Sequence, residues 1–237
     1  MKPAIIIPVY NHAGSIAGVV RDCREPGLPV IVVDDGSTDG TGEIIRKISG
    51  IFVVRHPQNL GKGAALLSGF RLAMAIGCDY ALTIDADGQH DPGDAPALLV
   101  TAAKEKSRCL IVGRRQGMEG GNRSNVPWTS RFGRGFSNFW VRAAGGPKVR
   151  DSQSGFRLYP MPETMNLEVR ARRYQFEVEV LVKAHQAGIA IREAPVGVVY
   201  QKRGERVSHF RPWIDFHRNS ATFSRLIFAR IFQALLP

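Results

Sequence analysis

Short apolar runs at 4–9, 29–33, 51–55, 80–84 and 109–112 alternate with longer stretches whose apolar residues recur at helical spacing. A continuous apolar run of this length reads as a strand buried on both faces, because a half-exposed strand would alternate polar and apolar side chains. Helices are predicted at 16–23, from Thr41 onward, at 62–76 and at 94–105, which is the β-α-β alternation of a parallel sheet. Beyond Gly113 the rhythm changes. A Gly-, Asn- and Ser-rich stretch at 116–128 reads as a surface loop beside the strand ends. It is followed by a helix at 130–143, a turn from Asp151 that leads into a strand ending at Pro160, a helix at 175–187, and a strand-like run at 189–200 interrupted by Pro195. A basic loop at 201–211 precedes a last helix predicted over 212–236. No internal repeat or low-complexity linker marks a second independent domain.

The predicted strands end in polar turns of one kind. The run 4–9 closes on Tyr10-Asn11, the run 29–33 on Asp34-Asp35-Gly36-Ser37-Thr38-Asp39-Gly40-Thr41, and the run 80–84 on Asp85-Ala86-Asp87-Gly88-Gln89-His90. In open α/β sheets ligands bind outside the carboxyl ends of the strands. Asp85, Asp87 and the amide oxygen of Gln89 are hard donors suited to Mg²⁺ or Mn²⁺ carrying a diphosphate. The same Asp-x-Asp-Gly pattern also occurs in plain turns and calcium loops. An EF-hand is excluded because Asp91 and Asp94 do not fall at the later ligand positions such a loop requires. Asp39 reads as a turn and capping residue. Asn59-Leu60-Gly61-Lys62-Gly63 is not a P-loop: His56 stands where the earlier glycine belongs, and Gly63 where a Ser or Thr belongs. Its glycines instead permit a tight start to the helix, with Lys62 close enough to the strand ends to help hold an anion.

Composition adds one constraint. In 237 residues, 32 Lys and Arg against 21 Asp and Glu give a formal charge of +11, which calls for an anionic partner: a nucleotide, a nucleic acid or an anionic membrane. The basic residues are dispersed and lack the aromatic interleaving of single-strand binders, and nothing in nucleic-acid binding accounts for the paired carboxylates. Cys23, Cys78 and Cys109 are isolated in sequence, so neither a zinc site nor a disulfide framework is expected, and a reducing compartment fits. No apolar stretch has the length of a membrane span, and the first residues lack a signal-peptide pattern.

Taken in order, Pro8-Val9-Tyr10-Asn11, Val33-Asp34-Asp35-Gly36-Ser37-Thr38-Asp39-Gly40-Thr41, Asn59-x-Gly61-Lys62-Gly63 and Asp85-Ala86-Asp87-Gly88-Gln89 resemble the family 2 glycosyltransferases of GT-A fold. Within that family the chain is most similar to the dolichyl- and polyprenyl-phosphate sugar synthases, over about residues 4–210. The resemblance implies one GT-A (Rossmann-like) α/β domain at 1–211, with a mixed, mostly parallel sheet flanked by helices, and an amphipathic helix at 212–237. It implies that Pro8, Tyr10, Asn11, Val33 and Asp35 hold the base and ribose of a UDP- or GDP-linked donor. Asp85, Ala86 and Asp87 match the Asp-x-Asp segment, with Gln89 as a further ligand of Mg²⁺ or Mn²⁺. Lys62, Arg114, Arg203 and His209 fall near the donor phosphates, and Arg131, Arg134 and Ser137 where an acceptor phosphate is contacted. Asp151 and Arg157 bound the segment beneath the acceptor and join Asp85 and Asp87 as catalytic candidates. Two positions depart from the pattern: His12 replaces a usual glutamate, and His209 a usual lysine.

The activity so implied is inverting transfer of a sugar to a lipid-linked acceptor by a cytoplasmic protein, either free or peripheral on the membrane's cytoplasmic face. A phosphate acceptor needs no general base, whereas the hydroxyl of a glycolipid or envelope glycan does, and Asp151 is then the first candidate, ahead of Glu177 and Glu179. A non-catalytic nucleotide or nucleic-acid binder is the alternative from another class. A nucleotide-sugar pyrophosphorylase is disfavoured because Asn11-His12-Ala13-Gly14 does not resemble its Gly-rich loop. In the final helix Phe216, Phe223, Ile227, Ile231 and Leu235 recur at helical spacing beside Arg218, Arg225 and Arg230. That stripe suits docking on an anionic membrane and equally packing on the domain or on a second copy of the chain.

Overall fold

The structure, a computed structural model, describes residues 1–116, 128–198 and 212–235, apart from the side chains of 128–132, 212–217 and 233–235. Nearly all of the loop expected at 116–128, and the whole basic loop at 201–211, lie outside the described residues. Seven strands form one sheet: β1 (Pro3–Val9), β2 (Val30–Asp34), β3 (Phe52–Arg55), β4 (Tyr80–Thr83), β5 (Cys109–Arg115), β6 (Arg157–Pro160) and β7 (Ala190–Val196). Their order is β3-β2-β1-β4-β6-β5-β7. β1 to β4 pair in parallel, as do β5 and β7, while β6 runs antiparallel between β4 and β5. Pro195 does not interrupt β7. It pairs opposite Arg114 on the edge strand of the sheet, where a missing N–H can face away from the ladder.

Every residue of β1, β2 and β4 is buried, as unbroken apolar runs require, and period-two alternation divides them between two cores. Ala4 and Ile6 join the core under α3 (Lys62–Ala75), α5 (Trp128–Ala143), α6 (Phe176–Gln186) and α7 (Pro212–Leu235). Ile5, Ile7 and Val9 face α1 (Ile16–Arg24), α2 (Thr41–Arg46) and α4 (Ala95–Ala103). α1 buries Ile16, Val19, Val20 and Cys23, one stripe of helical spacing. α3 is buried almost all round because it lies between the sheet and α6. A Cβ at Gly69 would lie 3.3 Å from Val33 Cγ2 and closer still to Ile6, so the absence of a side chain there sets how near α3 comes to the sheet.

α7 divides the expected stripe in two. Phe223 and Leu226 are buried in the core and the Phe223 ring stacks on Trp140 of α5, centroids 6.2 Å apart, whereas Phe228, Ile231 and Phe232 are exposed. Its attachment also depends on Glu179 of α6, which is fully buried. That carboxylate accepts from the amides of Arg170 (3.2 Å) and Ala171 (2.9 Å) and from Arg225 Nη2 (2.7 Å), with Lys183 Nζ at 3.7 Å. Removing one partner of such a pair leaves the others desolvated and unmatched. Glu179→Ala is therefore expected to cost about 3 kcal/mol, read as a lower urea midpoint with Arg225→Ala epistatic to it. An unchanged midpoint would show the network to be dispensable.

Candidate active site

The carboxyl ends of β1, β2 and β4 come together, as the polar turns predict. Pro8 and Val33 are register partners on β1 and β2, both buried, and Tyr10 and Asn11 leave β1 immediately beyond them. Asn11 takes φ +53°, a left-handed conformation that Asn tolerates better than most residues. Its N–H donates to Ser37 Oγ (3.0 Å) and its side-chain oxygen accepts from Thr38 N–H (2.8 Å), which ties the β1 turn to the Gly-Ser-Thr turn after β2. Asp39 accepts from the amides of Ala13 and Thr41, both at 3.0 Å, the turn role expected of it.

Asp35 is buried and fully engaged. Its oxygens accept from Leu60 N–H (2.9 Å) and Gly61 N–H (2.7 Å) and lie 2.7 Å from His56 Nδ1, while His56 Nε2 lies 2.9 Å from Ser68 Oγ. Asp35 thus fastens the Asn59–Lys62 turn to the end of β2. The Ser68, His56 and Asp35 line has the order of a hydrolytic triad, but Ser68 sits mid-helix in α3 and its hydrogen bond serves to orient the ring.

That turn delivers Lys62. Gly61, at φ +103°, and Gly63 pass so close to the 171–172 backbone that a Cβ on Gly63 would meet Ala171 O at 2.8 Å. Gly61 would meet Arg172 O more closely still. With α3 started there, Lys62 Nζ lies 2.6 Å from Asp85 Oδ1 and 2.6 Å from Glu177 Oε1 at the start of α6. Burial alone would lower the Lys62 pKa, and the two carboxylates outweigh it and raise it. Burial would likewise raise Asp85, but the ammonium beside it holds that carboxyl below its usual range. Asp87 moves the other way, raised by burial and then by repulsion from Asp85. Both aspartates remain partly open to solvent. Ala86 is held through its carbonyl, which accepts from Ser15 Oγ at 2.6 Å.

The donors at this edge fit a divalent cation in chemistry: two oxygen-bearing carboxylates with a raised mutual repulsion, and the buried Gln89 amide. The Nε2 end of that amide has no hydrogen-bond partner among the described residues, and a half-turn would exchange it with the oxygen. No group of three His, Cys, Asp or Glu side chains gathers into a metal cluster among the described residues. His90, next in sequence, is buried against the Phe156 ring with its pKa lowered by burial.

Opposite Asp85 lies the 151–157 segment. Gly155 packs directly on the Lys62–Asp85 pair: a Cβ would lie 2.8 Å from Lys62 Nζ and nearer still to the Asp85 carboxylate. Thr83 Oγ1 on β4 donates to Gly155 O at 2.7 Å and holds it there. Arg157 is fully buried and does not face the site. Its three guanidinium nitrogens donate to the carbonyls of Ser154, Glu177 and Ser152, each at 2.7 Å, so it shapes the segment from behind. Asp151, also fully buried, is gripped in a fork by Arg115, Nε to Oδ2 at 2.7 Å and Nη2 to Oδ1 at 2.9 Å. Burial would raise its pKa, but the Arg115 fork, assisted by Arg134, lowers it. Ser137 on α5 is buried with its hydroxyl 2.8 Å from Ser152 Oγ.

Of two neighbouring arginines on β5, it is Arg115 whose charge also acts on Asp85 and His90. Arg114, expected near the donor phosphates, lies by alternation on the other face of the strand, the one that Leu110 and Val112 share with α3 and α6. Strand alternation beyond Gly113 was the signal that distinguishes the two. The Arg131 side chain, Arg203 and His209 lie outside the described residues. The residues sequence reasoning missed in their actual roles are Glu177, Arg115 and Gly155.

Residues 4–161 match the model of "Glycosyl transferase family 2". The chain belongs to that family. It is a glycosyltransferase, and its sheet is the GT-A fold. It is 29% identical over 215 residues to the UDP-N-acetylglucosamine–dolichyl-phosphate N-acetylglucosaminyltransferase of Methanococcus voltae, covering 83% of this chain and 85% of the relative. It is also 29% identical over 215 residues to an undecaprenyl-phosphate mannosyltransferase of Micrococcus luteus, covering 86% of each. Among solved structures it resembles a Pyrobaculum calidifontis mannosyltransferase in complex with GDP-Man and Mn²⁺, with a TM-score of 0.62 and 19% identity. That likeness spans 98% of this chain and 64% of the other.

A side chain at position 155 has no room that does not move Lys62 or Asp85. Gly155→Ala is expected to leave circular dichroism unchanged and to lower the glycosyltransferase's kcat/KM about 100-fold, the scale of a misplacement of about 1 Å. Wild-type turnover in the variant would show that the Asp85 position is not critical.

Proposed function

We propose that this glycosyltransferase moves a sugar from a UDP- or GDP-linked donor to the phosphate of a polyprenyl-phosphate lipid, with inversion at the anomeric carbon. The observation that carries the choice of acceptor is the fork between Arg115 and Asp151. A hydroxyl acceptor requires a general base, and the first candidate, Asp151, is a buried carboxylate with both oxygens taken and a lowered pKa, a poor proton acceptor. Glu177 is bound to Lys62, and Glu179 is committed to α7. A phosphate arrives already ionised and asks only for cations to orient it, which Arg131 and Arg134 on α5 would supply, with Ser137 beside them. The names of the Methanococcus and Micrococcus relatives support the same acceptor class.

On the donor side, Tyr10, Asn11 and the paired Pro8 and Val33 line the edge where base and ribose would lie. Asp35 serves that edge by fixing the 59–62 turn, and Arg157 serves as a positioning residue. Asp85, Asp87 and Gln89 would hold Mg²⁺ or Mn²⁺, whose charge offsets the negative charge that develops on the departing diphosphate. The Mn²⁺ complex of the Pyrobaculum neighbour supports a divalent metal in this reading. Arg203 and His209 complete the donor phosphate contacts in this reading.

The lipid phosphate is reached from a membrane surface. No helix among the described residues is long and apolar enough to cross a bilayer, but Phe139 of α5 and Phe228, Ile231 and Phe232 of α7 are 49–70% exposed on adjoining helices, close to Arg142 and Arg230 in sequence. Aromatic side chains and arginines together suit an anionic interface, where each cation contributes about 1 kcal/mol.

The direct test is transfer from labelled UDP- and GDP-sugars with Mn²⁺ to a short polyprenyl phosphate, against the matching polyprenol and a glycolipid. Product from the phosphate alone is expected, and product from a hydroxyl acceptor alone would overturn the reading. Asp87→Asn keeps the shape but removes a ligand charge, and should lower transfer by at least about 100-fold with the thermal midpoint preserved. Undiminished turnover in saturating Mn²⁺ would remove Asp87 from the metal site. The double variant Phe228→Ser, Phe232→Ser should lose co-sedimentation with anionic vesicles while retaining its fold; sedimentation equal to wild type would dismiss this patch as the anchor.

A further inference from the structure

Lys62 is held by two carboxylates of different standing. Asp85 belongs to the Asp-x-Asp segment and is partly open, its side chain 29% exposed, whereas Glu177 is buried at 9% and lies at the base of α6. The ammonium is 2.6 Å from an oxygen of each, so it can give up Asp85 without giving up Glu177. An ammonium with several donors can serve two acceptors at once. Losing its sole partner inside the protein would be strongly unfavourable. Gly155 packs directly on the pair, and the close approach of Gly61 and Gly63 to the 171–172 backbone fixes where α3, and with it Lys62, begins.

We propose that Lys62 is a tethered competitor for Asp85: it occupies that carboxylate until a divalent cation is engaged there, and Glu177 then retains the displaced ammonium. The proposal rests on the assignment of Asp85 and Asp87 as metal ligands. Its consequence is that metal affinity is set by residues that never touch the metal. Lys62 suppresses binding of a cation on its own, and a donor diphosphate, which adds its own negative oxygens, tips the competition. Glu177 favours the metal-bound arrangement, so Lys62 and Glu177 act in opposite directions although they form one ion pair. A role confined to holding the fold together predicts that both substitutions weaken binding alike.

The experiment is Mn²⁺ binding to the full chain, followed by the electron paramagnetic resonance signal of free Mn²⁺, with and without UDP or GDP. Lys62→Met should bind Mn²⁺ roughly tenfold or more tightly than wild type without nucleotide, because one repelling charge and one competitor are gone. Glu177→Gln, nearly isosteric and safe for folding, should bind Mn²⁺ more weakly, and the double variant should follow Lys62→Met. Weaker or unchanged binding in Lys62→Met, or tighter binding in Glu177→Gln, overturns the proposal. Should Lys62→Met fail to fold, Lys62→Gln, which keeps a polar contact to Glu177 without the charge, takes its place with the same expected tightening and the same overturning result. The metal assignment fails separately: if wild type takes up no Mn²⁺ even with both nucleotides, or Asp87→Asn binds it as wild type does, the proposal falls with that reading.

Discussion

The placement of one ammonium between Asp85 and Glu177 joins the three parts from which the site is made. Asp85 comes from the turn after the central strand β4, Lys62 from the first turn of α3, and Glu177 from the first turn of α6. A buried ion group of this kind is stable only where the geometry is close to ideal. Here that geometry is imposed by glycines, since positions 61, 63 and 155 are points where backbone or charge passes too close for any Cβ. The same glycines would be unremarked in a list of polar residues, yet they determine where the polar residues can be.

Around this centre the buried charges have mostly been matched inside the protein. Asp35 is satisfied by two amides and His56, Asp151 by the Arg115 fork, Arg157 by three carbonyls, and Glu179 by two amides and Arg225. Each pairing removes a group from the pool of acids and bases that could act on a substrate. A site so arranged is suited to holding anions in place and ill suited to moving protons, which agrees with a reaction in which the nucleophile already carries its charge.

Much of this was legible in the sequence, for definite reasons. Buried parallel strands are unbroken apolar runs, so β1, β2 and β4 announce themselves, and the polar turns at their ends locate the ligand edge. A mixed sheet was implied by the resemblance, but that β6 is the antiparallel strand and inserts between β4 and β5 was not legible, because strand order depends on long-range pairing that leaves no local trace. For Asp151 and Arg157 the family resemblance of their segment suggested chemistry, while what decides their part is the partner, and partners such as Arg115 and the Ser152 carbonyl are fixed only by the fold. Arg114 and Arg115 differ by one position, which on a strand is a change of face. The last helix was read as either packed or exposed. It is both, packed through Phe223 and Leu226 and open through Phe228 and Phe232.

The antiparallel strand β6 has a bearing on how the molecule comes into being. During synthesis β4 and β5 leave the ribosome well before it, yet they are not neighbours: β6, about forty residues after β5, is the strip that fits between them. Until it arrives the nascent sheet presents two bare edges, of the kind that invites wrong pairing. The segment that carries Gly155 and Asp151 precedes β6 directly, so the strand that joins β4 to β5 also delivers the far wall of the catalytic pocket. Filling the gap in the sheet and bringing up that wall are thus one and the same step, with α6 and its Glu177 still to follow.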